Sequence, residues 1–118
     1  MCNSEEIDGL RFVPLDEARF LLYQSWFADD DLRRRFEYPT RVWFDYLSSP
    51  NIFGWMIYQG ETPVGFIQLD IAAEHGYFGF TVSAALRKRG YGQRMLRAML
   101  RHPAARAVTR FEDGGDDV

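Results

Sequence analysis

Cysteine is almost absent from this sequence, and so are long apolar runs. The one cysteine, Cys2, excludes an internal disulfide, and no stretch of the 118 residues is apolar enough to predict a membrane span. The opening residues are acidic and lack the basic and apolar parts of a secretory signal. We therefore expect a cytoplasmic protein. With 47% hydrophobic and 16% aromatic residues, it is expected to fold as one domain over residues 1–118.

Acidic residues are missing from one long part of the chain. The formal net charge is -3, yet no Asp or Glu occurs in residues 75–111, and eight of the 14 basic residues lie in residues 87–110. A region with one sign of charge predicts a polyanionic ligand, which is either a phosphate-bearing molecule or nucleic acid. Arg97 and Arg101 lie on a polar helix face, and we expect them only to be solvated.

The most informative stretch is residues 77–101, where a strand is followed by a glycine turn and a helix. The bulky apolar residues Phe78, Phe80 and Val82 alternate with other residues, which predicts a strand. Between Gly92 and His102 the apolar residues have helical spacing, which predicts a helix; they are Met95, Leu96, Met99 and Leu100. The first N–H groups of such a helix have no partner within it, and Gly90 and Gly92 admit a ligand close to the main chain. The turn therefore predicts a diphosphate cradle.

Two common phosphate motifs do not fit this turn. A Walker A loop requires a Gly-Lys pair, which the sequence lacks, and a dinucleotide fingerprint requires a glycine where Met95 stands. The pattern that remains is R-x-x-G-x-G from Arg87 to Gly92, after a strand that ends in Val82-Ser83-x-x-Leu86. It resembles motif A of the GNAT superfamily of acetyl-CoA-dependent N-acetyltransferases.

The resemblance implies an α/β (α+β) fold, with a mixed, mainly antiparallel sheet flanked by helices. The residue pattern is consistent with it: a strand over 9–15, helices that begin after Asp16 and Thr40, and an antiparallel meander of three strands over 52–82. Between the two helices, an acidic run over 29–31 precedes an arginine run. Acids followed by bases suit a helix boundary. We nevertheless prefer to interpret both runs as a solvated connection, with a cationic acceptor as a further interpretation of the acids.

Acetyl-CoA as a co-substrate is also implied by the resemblance. The pantetheine arm would pair with the end of the strand over 80–83, and Val82 matches the residue whose N–H stabilises the developing oxyanion. The diphosphate would lie on the main chain of residues 88–93, and Arg87 matches the first position of the motif. The predicted coenzyme-binding residues are Phe80, Val82, Ser83, Arg87, Lys88, Arg89, Gly90, Tyr91, Gly92 and Gln93.

The acceptor is then a primary amine of a small molecule or of a protein N-terminus. In this superfamily its deprotonation commonly involves a carboxylate, a histidine or a chain of water molecules. Glu74 and Asp70 are the candidates near the turn before the motif strand, and His75, which we expect to be a loop residue, ranks below them. Asp70 is expected to share a face with Phe66 and Gln68. Tyr23, Trp26 and Phe27 on the first helix either border the acceptor or form plain core. No metal site is predicted.

Family members normally continue after motif A with a strand, a helix that often carries a catalytic tyrosine, and two further strands. Here residues 105–111 are predicted as the strand, and no tyrosine follows Tyr91. Three hypotheses follow: a truncated acetyltransferase, a chain completed by a second copy, or a coenzyme A-binding module without turnover. An unprotected sheet edge favours a homodimer. Nucleic-acid binding through the basic helix ranks below these.

Overall fold

The fold is a six-stranded sheet whose spatial order follows the chain. The computed structural model describes residues 4–113, so Cys2 and the acidic residues 114–118 lie outside it. The strands are β1 (Glu5–Ile7), β2 (Leu10–Pro14), β3 (Ile52–Gln59), β4 (Thr62–Ala72), β5 (His75–Val82) and β6 (Arg110–Asp113). Every neighbouring pair up to β5 is antiparallel, whereas β6 runs parallel to β5. The predicted meander is therefore confirmed as β3, β4 and β5.

In the part of the chain that the structure describes, four α-helices flank this sheet, namely α1 (Glu17–Ser25), α2 (Asp30–Arg35), α3 (Arg41–Tyr46) and α4 (Tyr91–Leu100). Asp16 caps α1 by accepting from Arg19 N at 2.9 Å, and Thr40 caps α3 by accepting from Trp43 N at 3.2 Å. Both caps confirm the predicted helix starts. None of the helices within residues 4–113 is long and apolar enough to cross a membrane.

The charged run over residues 29–35 is a helix, so its prediction as a solvated connection was wrong. Asp29 caps α2 by accepting from Leu32 N, and the acids lie in the first turn while the arginines lie in the last. This order complements the helix dipole. Only Leu32 of α2 is buried, which is why apolar periodicity did not reveal the helix.

Two strands differ from the sequence prediction. A hairpin at the N-terminal end adds β1, which turns back into β2 through Asp8 and Gly9, both with positive φ. At the other end, the strand predicted over 105–111 is displaced. Residues Pro103–Ala105 form a 3-10 turn, and the strand begins only at Arg110, where its first residue pairs with His75.

Side chains from both faces of the sheet form the core. On one face, Met95, Ala98 and Met99 of α4 are fully buried, whereas Leu100, predicted for this face, is 46% exposed. Gly65 makes this packing possible because a Cβ there would lie 2.4 Å from Met95 Cε and 2.7 Å from the Thr81 carbonyl oxygen. On the other face α1, α2 and α3 cover the sheet through a second apolar cluster, which includes Tyr23 and Phe66.

Candidate functional site

The end of β5 offers backbone groups that no described strand occupies. Ser83 N donates to Val64 O at 2.9 Å, and β5 stays in register with β4 from Val82 to His75. Because the direction of N–H groups alternates along an antiparallel ladder, those of Phe80 and Val82 point away from β4. Within residues 4–113, β6 pairs with β5 only as far as Phe78. The edge at residues 80–82 is therefore open to an extended ligand.

The connection from β5 to α4 has the backbone conformation that a diphosphate cradle requires. Lys88 (φ 64) and Gly90 (φ 83) are both left-handed, and Gly90 is the N-cap of α4 without a side-chain cap. No acid lies in the first turn of α4. A Cβ on Gly90 would meet nothing within 4 Å, so the space above it is open. Free N–H groups, positive helix potential and open space together fit a diphosphate.

Gly92 has a different role from Gly90. It lies inside α4, and a Cβ there would lie 3.1 Å from Phe80 Cε2. That distance is tighter than an ordinary van der Waals contact, so glycine at this position lets the first turn of α4 lie close against β5. Gly90 thus provides the open cradle and Gly92 the close packing that places it.

Arg87 connects this cradle to the helices on the other side of the cleft. Its guanidinium lies 2.8 Å from Asp29 Oδ2 and 3.6 Å from Asp31 Oδ2. The hydrogen bond from Arg87 holds the pKa of Asp29 below its usual value. Asp30 pairs with Arg33 instead. The acidic run that suggested a cationic acceptor is therefore already matched by arginines of the same chain.

Two cavities meet above the end of β5. The first, here called the edge cavity, has a volume of about 210 Å³ and lies beside Val82 and Arg87. The second, the aromatic cavity, has a volume of about 170 Å³ and lies under α1 and α2, with Asp70 in its wall. Three residues line both: Phe36, Phe80 and Thr81. A ligand along the β5 edge and a second ligand in the aromatic cavity would therefore touch at this junction.

The walls of the aromatic cavity are rigid. The ring of Tyr23 stacks on that of Phe66 with centroids 4.4 Å apart, and its hydroxyl lies 3.3 Å from Thr81 Oγ1. Burial raises the pKa of Tyr23 to about 12, so its hydroxyl stays protonated at neutral pH. The phenol can donate a hydrogen bond here but does not serve as a base.

Asp70 is held in place by neutral donors. Its Oδ1 accepts from Gln68 Nε2 at 3.0 Å and its Oδ2 accepts from the Tyr46 hydroxyl at 2.8 Å. The carboxylate raises the pKa of Tyr46 through this hydrogen bond. Gln68 Oε1 accepts in turn from Trp43 Nε1 at 3.0 Å. The resulting chain of side chains from α3 and β4 fixes the carboxylate at the cavity wall.

A match to a family model decides which proteins this chain is related to. The model describes the acetyltransferase (GNAT) family and matches residues 20–113, which is most of the chain. The chain belongs to the GNAT family. GNAT acetyltransferases use acetyl-CoA, so the open edge of β5 and the cradle at α4 have an expected ligand.

The chain is similar in sequence to a curated protein and in fold to solved acetyltransferases. The uncharacterized N-acetyltransferase YfmK of Bacillus subtilis (strain 168) is 27% identical over 108 residues, which cover 86% of this chain and 70% of YfmK. RimL, a ribosomal L7/L12 alpha-N-protein acetyltransferase, superposes with a TM-score of 0.76 at 16% identity, over 94% of this chain and 70% of RimL. Aminoglycoside acetyltransferase AAC(6')-Ib, solved with coenzyme A, gives a TM-score of 0.70 at 12% identity, over 86% of this chain and 72% of its own.

The GNAT residues predicted from the sequence fall into two groups. Those predicted for the coenzyme lie together along the end of β5 and the start of α4, although Ser83 N and the Tyr91 hydroxyl already have partners in Val64 and Gln59. The two carboxylates are not together. Asp70 lines the aromatic cavity, whereas Glu74 is exposed in the turn after β4 and lines neither cavity.

Sequence reasoning also missed two residues of this site, Phe36 and Tyr46, and placed Gln68 on the face of Asp70 without giving it a role. Phe36 ends α2 and lies at the junction of the cavities, and Tyr46 and Gln68 hold Asp70. Alternation along β4 was a signal for Gln68, because it shares a face with Asp70. For Phe36 and Tyr46 no local signal existed, since both approach the site from separate helices.

Proposed function

We propose that this chain transfers the acetyl group of acetyl-CoA to a primary amine of a small molecule or a protein N-terminus. The amine attacks the thioester directly. One observation carries the proposal: the edge cavity and the aromatic cavity meet at Phe36, Phe80 and Thr81. Two substrates that enter from opposite sides would bring their reacting atoms together at that junction, which is the requirement of a direct transfer.

The coenzyme takes the edge cavity in this proposal. Phe80 and Val82 supply backbone groups for the pantetheine arm, and Ser83 contributes its hydroxyl because its N–H is already used. The diphosphate lies on the first N–H groups of α4, in the space above Gly90. The exposed side chains around the cradle add positive charge or hydrogen bonds: Lys88, Arg89 and Gln93.

The chemical step forms a bond from the amine nitrogen to the acetyl carbon and breaks the bond from that carbon to sulfur. Val82 N–H donates to the carbonyl oxygen as it gains negative charge. The ammonium must first lose a proton, and neither carboxylate candidate is placed beside the junction. Asp70 lies about 10 Å along the sheet from Phe80, at about 3.3 Å per residue, and Glu74 lies beyond it at the turn. The amine proton therefore leaves through water.

A calorimetric titration with acetyl-CoA tests the coenzyme part of the proposal. Desulfo-CoA should bind comparably, because it keeps both the diphosphate and the pantetheine arm, and ATP should bind much more weakly because it lacks that arm. Thiol release with a panel of amines then tests transfer. If the coenzyme binds saturably but no amine in the panel causes release of the coenzyme A thiol, the protein is a coenzyme A-binding module without turnover. If neither coenzyme binding nor thiol release is observed, the proposal is wrong.

Gly90→Ala tests where the diphosphate lies. A methyl group at Gly90 would enter the open space above the cradle and oppose a left-handed φ. We expect acetyl-CoA affinity to fall by about tenfold or more, which corresponds to about 1.4 kcal/mol. Gly60→Ala is the matched control, since Gly60 is also left-handed and open but lies in the turn between β3 and β4. Equal losses in both variants would mean that backbone strain, not the cradle, explains the effect.

The cytoplasmic location and the homodimer remain predictions. Light scattering at micromolar concentration tests the second of them. A strictly monomeric species would contradict the homodimer without affecting the coenzyme site. A dimer that forms through the β6 edge would agree with the expectation that this edge is covered by a second copy.

A further inference from the structure

Asp70 lies at the end of the aromatic cavity that is remote from the junction. It pairs with Tyr77, whereas Phe80 at the junction pairs with Ile67, three residues before Asp70 on β4. At about 3.3 Å per strand residue, the pair of Asp70 and Tyr77 is about 10 Å from the junction. A group that takes a proton directly must be within hydrogen-bond distance of the reacting nitrogen. The carboxylate therefore faces a part of the acceptor other than its reactive amine.

The charge of Asp70 has no cationic partner among residues 4–112. The ion pairs of this region involve other acids, and both partners of Asp70 are neutral donors, Tyr46 and Gln68. An ionised carboxylate has about four lone-pair positions, and the two hydrogen bonds occupy two. The side chain is half-buried in the cavity wall. A cationic or hydrogen-bond-donating group of a ligand would complete this arrangement.

The cavity wall between Asp70 and the junction carries no charge. Gln68 and Gly79 pair in the row between them, and the Gln68 amide is already bonded to Asp70 and Trp43. The rings of Tyr23, Phe36 and Phe66 line the end nearer the junction, and no charged side chain other than Asp70 lines this cavity among the described residues. The volume of about 170 Å³ is below the range of about 300–1,000 Å³ that is usual for drug-sized ligands. The middle of the acceptor is therefore compact and apolar.

From these three observations we propose that the acceptor is a small amine with a second cationic group at its far end, joined by an apolar chain, as in a linear diamine. Asp70 binds the far cation, while the near amine reacts at the junction of the two cavities. This inference rests on the proposed acetyl transfer for its chemistry and adds the class of acceptor. A substrate with many charges, such as a polycationic sugar, would not match one carboxylate in an aromatic wall.

Cadaverine and hexylamine test this inference as a matched pair. They have the same number of heavy atoms, and hexylamine has a methyl group where cadaverine has its second amine. We expect kcat/KM for cadaverine to exceed that for hexylamine by about tenfold or more, since hydrogen bonds to a charged group contribute about 1.5–3 kcal/mol. Asp70→Asn should bring the ratio of the two values close to one. Glu61→Gln is the control, because it removes one exposed negative charge from the turn between β3 and β4.

Calorimetry of acetyl-CoA and of cadaverine separates this inference from the proposed function. Cadaverine binding that Asp70→Asn abolishes supports the inference even if no thiol is released, and the proposed transfer would then be wrong. Thiol release with hexylamine and cadaverine at equal efficiency would overturn the inference and leave the transfer intact. Equal loss of activity with both amines in Asp70→Asn would also overturn it, because Asp70 would then act on every acceptor as a base does.

Discussion

The two sides of the cleft differ in the kind of group that faces a ligand, backbone on one side and side chains on the other. In our proposal, the groups that face the coenzyme are backbone N–H and C=O groups of residues 80–93, one continuous segment. The aromatic cavity, where we propose that the acceptor binds, is instead built from side chains that reach it from α1, α2, α3 and β4. A backbone site needs only the right conformation, which a short motif with glycines can specify. A side-chain site needs the whole fold to bring distant residues together, so it can change with each substitution while the backbone site stays the same.

The largest effect should come from removing the packing under the backbone site. Met95 is fully buried and lies against Gly65 of β4. Met95→Ala should lower the free energy of unfolding by about 2–5 kcal/mol through the cavity it leaves. Acetyl-CoA affinity should fall as well, because the N–H groups of the cradle move with α4. Urea unfolding and calorimetry measure the two effects.

Leu100→Ala is the control for this change, since Leu100 is in the same helix but 46% exposed. Its effect on unfolding should stay within about 0.5 kcal/mol. If Met95→Ala loosened the fold and left coenzyme affinity unchanged, the cradle would not depend on how α4 is packed. The coenzyme site would then depend on its own backbone conformation alone and not on the packing beneath α4.

A change confined to the acceptor side should leave the coenzyme side intact. Gly79 lies opposite Gln68 on the cavity face of β5, between Asp70 and the junction. Gly79→Val would fill part of that space, and a β-branched residue suits a strand. We expect kcat/KM for cadaverine to fall by about tenfold, or about 1.4 kcal/mol, with the Kd of acetyl-CoA within about twofold of the original. Gly79→Ala should give a smaller loss, and equal weakening of both ligands would show that the cavities are not separate.

The smallest expected effect concerns Arg87, which links the two sides. Asp29→Asn keeps a side chain that can cap α2 but removes the negative charge beside the guanidinium. Arg87 would then keep only its longer contact with Asp31 and could turn more easily towards a phosphate. Acetyl-CoA should therefore bind about two- to fivefold more tightly at low salt, with less difference at high salt. Calorimetry at two salt concentrations measures this. Asp30→Asn is the matched control because Asp30 pairs with Arg33, and a similar gain there would indicate a general charge effect.

Local patterns predicted the parts of this protein that local physics determines. Alternation and turn residues gave the meander, a change of period gave α4, and two capping side chains gave the starts of α1 and α3. The motif also indicated the left-handed turn at Gly90, because that conformation favours glycine wherever the rest of the chain lies. Gly92 was harder to interpret, since its contact with Phe80 appears only when α4 lies against β5.

The acceptor side could not be predicted in the same way. The hydroxyl of Tyr46 reaches Asp70 across 24 residues of sequence, and Phe36 reaches the junction from the end of a helix that has one buried residue. The spacing of apolar residues along the sequence does not indicate such contacts. Two carboxylates near one turn looked equivalent in the sequence, whereas strand pairing separates Asp70 on the cavity face from Glu74 in solvent.

The single parallel pairing in the sheet has a consequence for how the chain folds. Strands β1 to β5 lie beside their sequence neighbours, although helices α1 to α3 come between β2 and β3. The β5–β6 pair forms across the connection that contains α4, with 35 residues from His75 to Arg110, and the β2–β3 pair forms across a longer one, with 41 residues from Pro14 to Trp55. Pairings between distant segments cost more loop entropy and form later than the hairpins of the meander. Both pairs are therefore expected to form after the meander, and the connection between β5 and β6 includes the cradle. Acetyl-CoA, by binding only its closed form, should slow amide hydrogen exchange in α4 more than in the meander.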